Sequence, residues 1–380
     1  MEYKLSELFD LQMGKTPSRN NHIYWNTGDN KWISIGDLSE SNIYITETKE
    51  HISDLAVRES GIKAIPENTV VMSFKLSIGK TAITTQEMYS NEAIMAFIDK
   101  KTITVLPEYL YYLLSGQDWN KGTNNAVMGK TLNKATLSER KIYIRSLEEQ
   151  KKIVDILNGI KQIIDKYKSQ LNKLDTLIKA RFVEMFGDPM NNPCGYEHIK
   201  LSDIATYFNG LTYKPENVTE DGTIVLRSSN IQNGQLDFLD TVRVNCAIKE
   251  RIMVQENDIL MCSRNGSAKL VGKVALVKDI QEPMSFGAFM MIIRSQYFGY
   301  LMTYFQMDAF RQQIKTSATT TINQITGRML DNITIPLPPI TMVEQYTAFI
   351  EQVDKSKSAI QKSLEKTQTL FDSLMQEYFG

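Results

Sequence analysis

Two stretches of the chain carry apolar residues at alternating steps of three and four, the pattern of a helix that buries one narrow seam. In the first stretch the seam positions are Ile153, Leu157, Ile160, Ile164, Tyr167, Leu171, Leu174 and Ile178. In the second they are Ile350, Val353, Ile360, Leu364, Phe371 and Leu374, with polar exceptions at Lys357 and Thr367. A strict alternation of this kind favours a coiled coil over a buried helix of an ordinary bundle. Because two such helices occur in one chain, we expect them to pair with each other.

The two helices belong to a repeat whose period is about half of the chain, and such a repeat is the first evidence of architecture. Each copy starts with a similar short segment, contains an acidic-Gln step before its helix, and ends on Phe-Gly. The matched pairs are Leu5–Leu8 with Leu201–Ile204, Glu149-Gln150 with Glu344-Gln345, and Phe186-Gly187 with Phe379-Gly380. Two copies of one structural unit are therefore predicted.

The parts of the chain before each helix are rich in short β-type runs separated by Gly, Asn and Asp. Examples of such runs are Lys31–Ile35, Thr69–Met72 and Ile224–Arg227. Each part also contains a helix-like aromatic segment, Tyr109–Leu114 or Tyr300–Phe305. We predict an α+β fold with two tandem domains, each followed by a long helix. The predicted boundaries are 1–145 for the first domain, 146–187 for the central helix, 188–195 for a linker, 196–336 for the second domain and 337–380 for the C-terminal helix.

Composition excludes several classes of protein. The chain has 380 residues, 42% of them hydrophobic, which is ordinary for a soluble protein. No run approaches the length of a membrane span, and the first residues lack a signal-peptide pattern, so a cytoplasmic location is expected. The three cysteines and three histidines show no metal-site spacing, which predicts reduced thiols and no metal.

Catalytic motifs are also missing from the sequence. Three Gly-Lys-Thr triplets begin at Gly14, Gly79 and Gly129, but none has the earlier glycine that a phosphate-binding loop requires. There is no dinucleotide-binding glycine pattern, no Asn-Pro-Pro-aromatic motif of amino-methyltransferases, and no convincing nuclease core. We therefore expect that the chain catalyses no reaction itself.

The repeated order of domain and helix resembles the specificity subunits of Type I restriction-modification systems. The resemblance covers essentially the whole chain, and its most similar segments are Leu147–Val154, Arg181–Gly187 and the proline segment Pro336–Ile340 before Glu344-Gln345. The first half lacks that proline segment and has Tyr143–Ser146 in its place.

The resemblance implies a DNA-binding protein with two target-recognition domains, each reading one half of a split site on double-stranded DNA. It implies that the helices pair antiparallel as a spacer and dock two methyltransferase subunits, with motor-nuclease subunits joining for restriction. The chain would bind no cofactor, whereas S-adenosylmethionine, ATP and Mg would be bound by its partners. Such partners would also help to hold the DNA, since the chain has a net charge of only −1 and phosphate neutralisation requires cations.

Side chains that read DNA must be polar and accessible, with Arg or Lys suited to guanine and Asn or Gln suited to adenine. Polar loops that match between the halves, at least loosely, are the candidates, and for any one residue a solvated loop is the alternative. The candidate DNA contacts are Lys15, Thr16, Arg19, Lys75, Lys80, Asn124, Asn125, Lys130, Ser228, Ser229, Asn230, Arg264, Asn265, Lys269, Lys273, Thr320, Asn323 and Gln324.

Two other functions fit parts of this pattern. The chain could be the specificity subunit of a related system whose partner fuses methyltransferase and nuclease, which the size of co-purified partners would distinguish. It could instead be a coiled-coil interaction protein with no role on DNA, which would show no sequence preference with any partner.

Overall fold

A computed structural model describes residues 1–40, 42–75, 77–119, 124–126, 129–317 and 323–380. Contacts divide these residues into two compact units. Unit 1 combines Met1–Lys168 with Lys362–Gly380, and unit 2 comprises Ser169–Gln361. Each of the two long helices therefore contributes one part to each unit. The mixed α+β fold with two domains and two long helices is confirmed.

The described residues of the first half form twelve strands and five short α-helices before the first long helix. The strands are β1 (Glu2–Lys4), β2 (Phe9–Met13), β3 (Trp25–Ile33), β4 (Tyr44–Ile45), β5 (Glu50–Ile52), β6 (Val70–Ser73), β7 (Thr81–Thr84), β8 (Tyr89–Ser90), β9 (Ile94–Asp99), β10 (Asn124–Ala126), β11 (Gly129–Thr131) and β12 (Lys141–Tyr143). The helices are α1 (Leu5–Leu8), α2 (Ile35–Glu40), α3 (Asp54–Ser60), α4 (Pro107–Gly116) and α5 (Lys134–Ser138), followed by α6 (Leu147–Phe186).

The second half begins and ends with the same types of element. Its strands are β13 (His198–Lys200), β14 (Thr206–Asn209), β15 (Val218–Thr219), β16 (Thr223–Leu226), β17 (Ile231–Gln232), β18 (Gln235–Leu236), β19 (Arg243–Val244), β20 (Ile259–Cys262), β21 (Val274–Leu276), β22 (Met284–Phe286), β23 (Met290–Arg294) and β24 (Thr334–Pro336). Its helices are α7 (Leu201–Ile204), α8 (Phe298–Tyr304), α9 (Asp308–Ser317) and α10 (Gly327–Asp331), followed by α11 (Ile340–Phe379). It differs from the first half in having the strands β17 to β19 in place of α2 and α3, and the helix α9 in place of the hairpin β10–β11.

The sheets of the two units have the same central order. In unit 1 the strands are arranged β2-β9-β6-β7-β4, and in unit 2 the corresponding sheet is β14-β23-β20-β21. A second sheet in each unit contains one parallel pair, β3 with β8 and β16 with β22. The central strands β6 and β20 are buried along their whole length, which explains why their sequences are continuous apolar runs rather than alternating ones.

Each long helix is preceded by residues that favour the start of a helix, and these residues differ between the two halves. The Ser146 hydroxyl and the Glu149 carboxylate each bond to the other residue's backbone N–H group before α6, which is a capping box. The second helix, α11, starts directly after Pro338-Pro339, residues that cannot continue a strand.

The helices supply core residues to both units. In unit 1, Leu157 of α6 and Phe379 of α11 lie in the same apolar cluster as Tyr109 and Tyr112 of α4. In unit 2, Phe182 of α6 and Tyr346 of α11 pack with Tyr300 of α8 and the strands. Neither unit therefore has a complete core without parts of both helices.

One glycine in each unit, Gly14 or Gly210, lets the backbone pass in close contact with the edge of the sheet. Gly14 N donates to Ile94 O at 3.1 Å and Lys15 N to Ser90 O at 2.8 Å. In unit 2, Gly210 N donates to Met290 O at 3.3 Å and Leu211 N to Phe286 O at 2.7 Å. A Cβ on Gly210 would lie 2.2 Å from the carbonyl oxygen of Gly287, so no other residue fits without displacing this backbone.

A buried side chain after the first parallel strand fixes a loop in each unit. In unit 2, Asn230 accepts from Arg227 N at 2.8 Å and donates to the carbonyl oxygens of Asp237 and Asp240 at 2.8 and 2.9 Å. In unit 1, Asp37 accepts from the backbone N–H groups of Ser34 and Lys49, at 2.8 and 2.9 Å. We call these two residues the loop clamps.

The loop clamp corrects one sequence-based prediction. Asn230 was a candidate DNA contact, but it is 0% exposed and its amide group is already bonded to three backbone groups. Its polar character serves to satisfy the interior of a loop, because buried polar groups require partners.

Replacing Gly210 with alanine should destabilise unit 2, because the new methyl group would overlap the carbonyl oxygen of Gly287. We expect a loss of about 1–3 kcal/mol in the free energy of unfolding, the usual range for an overpacked site. Gly266→Ala is the matched control, since no atom lies within 4 Å of the Cβ position there. Equal denaturant midpoints for the two variants would contradict the close crossing.

Replacing Asn230 with alanine should leave one backbone N–H group and two carbonyl groups without their partners. We expect a loss of about 3 kcal/mol in the free energy of unfolding, because each unsatisfied buried group costs about 1–3 kcal/mol and some groups regain water. Ser229→Ala, at an exposed neighbouring position, should leave the denaturant midpoint unchanged. A midpoint for Asn230→Ala equal to that of Ser229→Ala would show that the clamp is dispensable.

Candidate nucleic-acid interface

The loops that follow the central strands meet the glycine crossings at one end of each sheet. In unit 1, Phe74 N donates to Ala93 O at 2.9 Å, and Leu132 N donates to Phe74 O at 3.0 Å. In unit 2 the same bonds join Ser263 N to Phe289 O at 3.0 Å and Ile325 N to Ser263 O at 2.7 Å. This set of matched loops, which we call the loop end of each unit, contains most of the candidate DNA contacts.

A cleft of about 600 Å³ opens at the loop end of unit 2. Its walls come from the glycine crossing, the loop before the clamp, the loop after β20 and the turn between β22 and β23. The side chains that line it include Tyr213, Arg227, Ser228, Asp240, Arg264, Asn265 and Phe289. Polar groups and two aromatic rings thus converge on an open concave surface of this unit.

Several candidate residues hold each other in place at this cleft. Asn265 donates to the hydroxyl of Ser228 at 3.4 Å, and the Arg264 guanidinium lies 5.6 Å from the ring centre of Phe289. Asn323 donates from its amide to Gly266 O at 3.3 Å, and a β-bridge joins Arg264 to Gln324. The geometry brings together residues from three separate predicted loops.

Arg227 lies in the same cleft and was absent from the sequence-based candidates. Its guanidinium forms an ion pair with Asp240 at 2.8 Å, while its Nε is buried and has no hydrogen-bond partner within the described part of the chain. Buried donors in folded proteins nearly always have partners, and a bound water or ligand would supply the missing acceptor for this Nε. The sequence signal that could have identified it is its place directly after β16 and three residues before the clamp.

The loop end of unit 1 has different chemistry. Arg19 pairs with both carboxylate oxygens of Glu50 and stacks 3.7 Å from the ring centre of Trp25, and the hydrogen bond to Glu50 raises the pKa of Arg19. Lys15 donates to the carbonyl oxygen of Ser60. These two candidate cations are therefore held by intramolecular contacts, although both residues are exposed.

Glu92 lies among the candidate residues of unit 1 and was also missed from the sequence. The hydroxyl of Thr16 donates to its carboxylate. Burial opposes ionisation here, but the bond from Thr16 and the charges of Lys75 and Arg19 outweigh it and lower the pKa of Glu92. The carboxylate is therefore ionised at neutral pH and able to accept hydrogen bonds.

The remaining candidates are spread more widely. Lys80 donates to the hydroxyl of Ser39 at 2.5 Å. Lys273 lines a separate groove of unit 2 beside the long helices, away from the cleft that contains Arg264. Lys269 is exposed in the loop after β20.

Four further candidates come from two predicted loops, one in each half of the chain. Asn124, Asn125 and Lys130 lie in the backbone hairpin β10–β11, and Thr320 lies outside the described residues. The sequence-based choice of these four residues stays a prediction.

The predicted seam positions are the least exposed faces of the two helices. All fourteen apolar seam residues are buried or half-buried, as are Lys357 and Thr367. Within unit 2, Lys357 forms an ion pair with Asp175 at 2.6 Å, and Tyr346 donates from its hydroxyl to Ile178 O at 3.0 Å. A continuous coiled-coil seam along the full helices stays a prediction.

Neither a metal site nor a membrane segment is found in the described ranges. They contain no cluster of three or more His, Cys, Asp or Glu side chains placed to hold a metal ion. No helix within them is both long and apolar enough to cross a membrane.

Comparison with known proteins places this geometry in a family. Residues 1–176 and 193–368 both match the Type I restriction modification DNA specificity domain. The Type I restriction enzyme MjaIX specificity subunit of Methanocaldococcus jannaschii is 24% identical, over 98% of this chain and 90% of that protein. The Type I restriction enzyme EcoKI specificity subunit of Escherichia coli is 30% identical over 45% of this chain and 39% of that protein.

Solved structures agree in fold. The crystal structure of a Type I restriction-modification S subunit from M. genitalium has a TM-score of 0.57 and 13% identity, covering 100% of this chain and 96% of that one. The resemblance drawn from the repeat is thereby confirmed. With two matched domains spanning most of its length, the chain belongs to the Type I restriction-modification DNA specificity family, whose members give these systems their DNA sequence specificity.

Proposed function

We propose that the chain reads a split site on double-stranded DNA, with one domain for each half-site. The observation that carries this proposal is that one backbone frame occurs twice and presents different side chains. Arg227, Arg264 and Phe289 occupy the loop end of unit 2, whereas Arg19, Lys75 and Glu92 occupy that of unit 1. Two frames with different chemistry suit two different half-sites, because base edges are distinguished by their donor and acceptor patterns.

The chain acts in the cytoplasm as a non-catalytic subunit. Two methyltransferase subunits dock on it, bind S-adenosylmethionine and methylate adenine, and motor-nuclease subunits that use ATP and Mg join them for restriction. The net charge of −1 supports dependence on partners, since cations must neutralise DNA phosphates. A partner that fuses methyltransferase and nuclease is the second candidate, and the mass of the co-purified subunits distinguishes the two.

The two long helices are the proposed spacer between the readers and the docking surface for these partners. Each helix has 40 residues and, at about 1.5 Å per residue, a length of about 60 Å. That length exceeds one turn of DNA, about 34–36 Å, so the helices are long enough to act as a spacer between two readers.

Exchanging residues 196–336 for the matching segment of a relative should change only one half of the methylated motif. The reason is that the loop end of unit 2 is built from this segment alone. The measurement is long-read sequencing of methylated adenines in cells that express the chain with its partner subunits. The reciprocal exchange of residues 1–145 is the control and should change the other half. A change in both halves from one exchange would contradict two independent readers.

Lengthening the helices should lengthen the unread gap between the half-sites. One heptad inserted after Lys168 and another after Gln361 would preserve the alternation of three and four in both helices. Seven residues add about 10 Å, near three base pairs at about 3.4 Å each.

A four-residue insertion at the same two places is the matched control. It breaks the heptad register and should reduce methylation. An active heptad variant that kept the original gap would show that something other than these helices sets the spacing.

A further inference from the structure

The turns between β8 and β9 and between β22 and β23 occupy the same place in the two units. The first turn is Asn91–Ala93 and the second is Gly287–Phe289. Asn91 N donates to Ile33 O at 3.1 Å, and Gly287 N donates to Leu226 O at 2.9 Å. Each turn is thus fixed to the parallel strand pair at its start.

Each turn is also fixed at its end, beside a cation. Ala93 O accepts from Phe74 N at 2.9 Å, and the next residue along that loop is Lys75. Phe289 O accepts from Ser263 N at 3.0 Å and from Arg264 N at 3.1 Å. Backbone bonds on both sides make each turn a rigid support at the loop end, next to a lysine or an arginine.

The two supports present opposite chemistry. The first carries the exposed carboxylate of Glu92, whereas the matched position of the second turn is Ala288. The second carries the ring of Phe289, which is 60% exposed, whereas its counterpart Ala93 is buried at 8%. The ring of Phe289 lines the cleft of unit 2 beside Arg264, so a ligand that enters this cleft contacts the ring.

A carboxylate on a surface that meets DNA is repelled by phosphates, and hydrogen bonds accepted from a base offset that repulsion. The donor that suits it is an exocyclic amino group, as cytosine N4 provides in the major groove. A phenyl ring at the matched place has no polar atom, and the apolar feature of the same groove is the thymine methyl group.

We infer that these two turns are the base-reading tips of the domains, with Glu92 accepting from the amino group of cytosine in one half-site and Phe289 packing on a thymine methyl in the other. Lys75 and Arg264, on the adjoining loops, hold the neighbouring phosphates or bases. This inference rests on the proposed function and deepens it, because it names the side chains that select the sequence.

The first test replaces Glu92 with glutamine in the full complex with its methyltransferase partners. The amide keeps the shape but adds donors, and Gln suits adenine N6 and N7. One cytosine position of one half-site should therefore lose about tenfold or more of its preference and shift towards adenine. Glu67→Gln is the control, because Glu67 is exposed in the turn before β6, at the opposite end of that strand.

The second test replaces Phe289 with alanine, which should relax one thymine position in the other half-site only. Met190→Ala is its control, since Met190 is 53% exposed in the linker. Preference is measured by sequencing methylated adenines and by competition binding with sites changed at single bases. Complex assembly is checked by co-purification, and it should be unchanged because both replaced side chains are exposed.

The outcomes separate this inference from the proposed function. A wild-type complex that recognises a split motif, with both variants methylating that same motif at wild-type efficiency, would overturn the base-reading tips alone. A wild-type complex that directs methylation to a site without two halves would overturn the proposed function, and the inference with it.

Discussion

The structure depends on the burial of aromatic helix residues inside the domain cores. Phe182 of α6 lies 4.9 Å from the ring of Tyr300, and Tyr346 of α11 bonds through its hydroxyl to Ile178 O and Thr303. In unit 1 the ring of Phe379 lies 5.4 Å from that of Tyr109. Aromatic side chains carry large buried areas. A helix therefore cannot shift along its axis without removing aromatic side chains from a core. The position of each helix is fixed by the core to which it contributes.

The same constraint separates what is constant in a domain from what can vary. Gly14 and Gly210, the loop clamps Asp37 and Asn230, and the strands that they touch form a frame that tolerates little change. Glu92 and Phe289 are exposed on this frame and fill no core space. Under the proposed function, substitution at these two positions changes the sequence that is read without changing the fold.

The sequence predicted the elements whose patterns are periodic. The alternation of three and four located both long helices, and the apolar runs located β6 and β16, because burial on one face or on both leaves a periodic trace. The clamp was misread because a buried asparagine and an exposed one look alike in sequence. Glu92 was missed for the opposite reason: the search looked for loops shared by the halves, and the other half has Ala288 at the matched position.

The charges at the loop ends limit how strongly the chain alone attracts DNA. Two of the cations there are paired with carboxylates, Arg19 with Glu50 and Arg227 with Asp240 at 2.8 Å. A DNA phosphate must compete with these carboxylates, so sequence-independent attraction is weakened. A base that satisfies the turn tips gains bonds that a phosphate cannot replace. Under the proposed function, low net charge therefore reduces binding to the many wrong sites more than binding to the right one, and partner subunits supply the cations that hold the duplex.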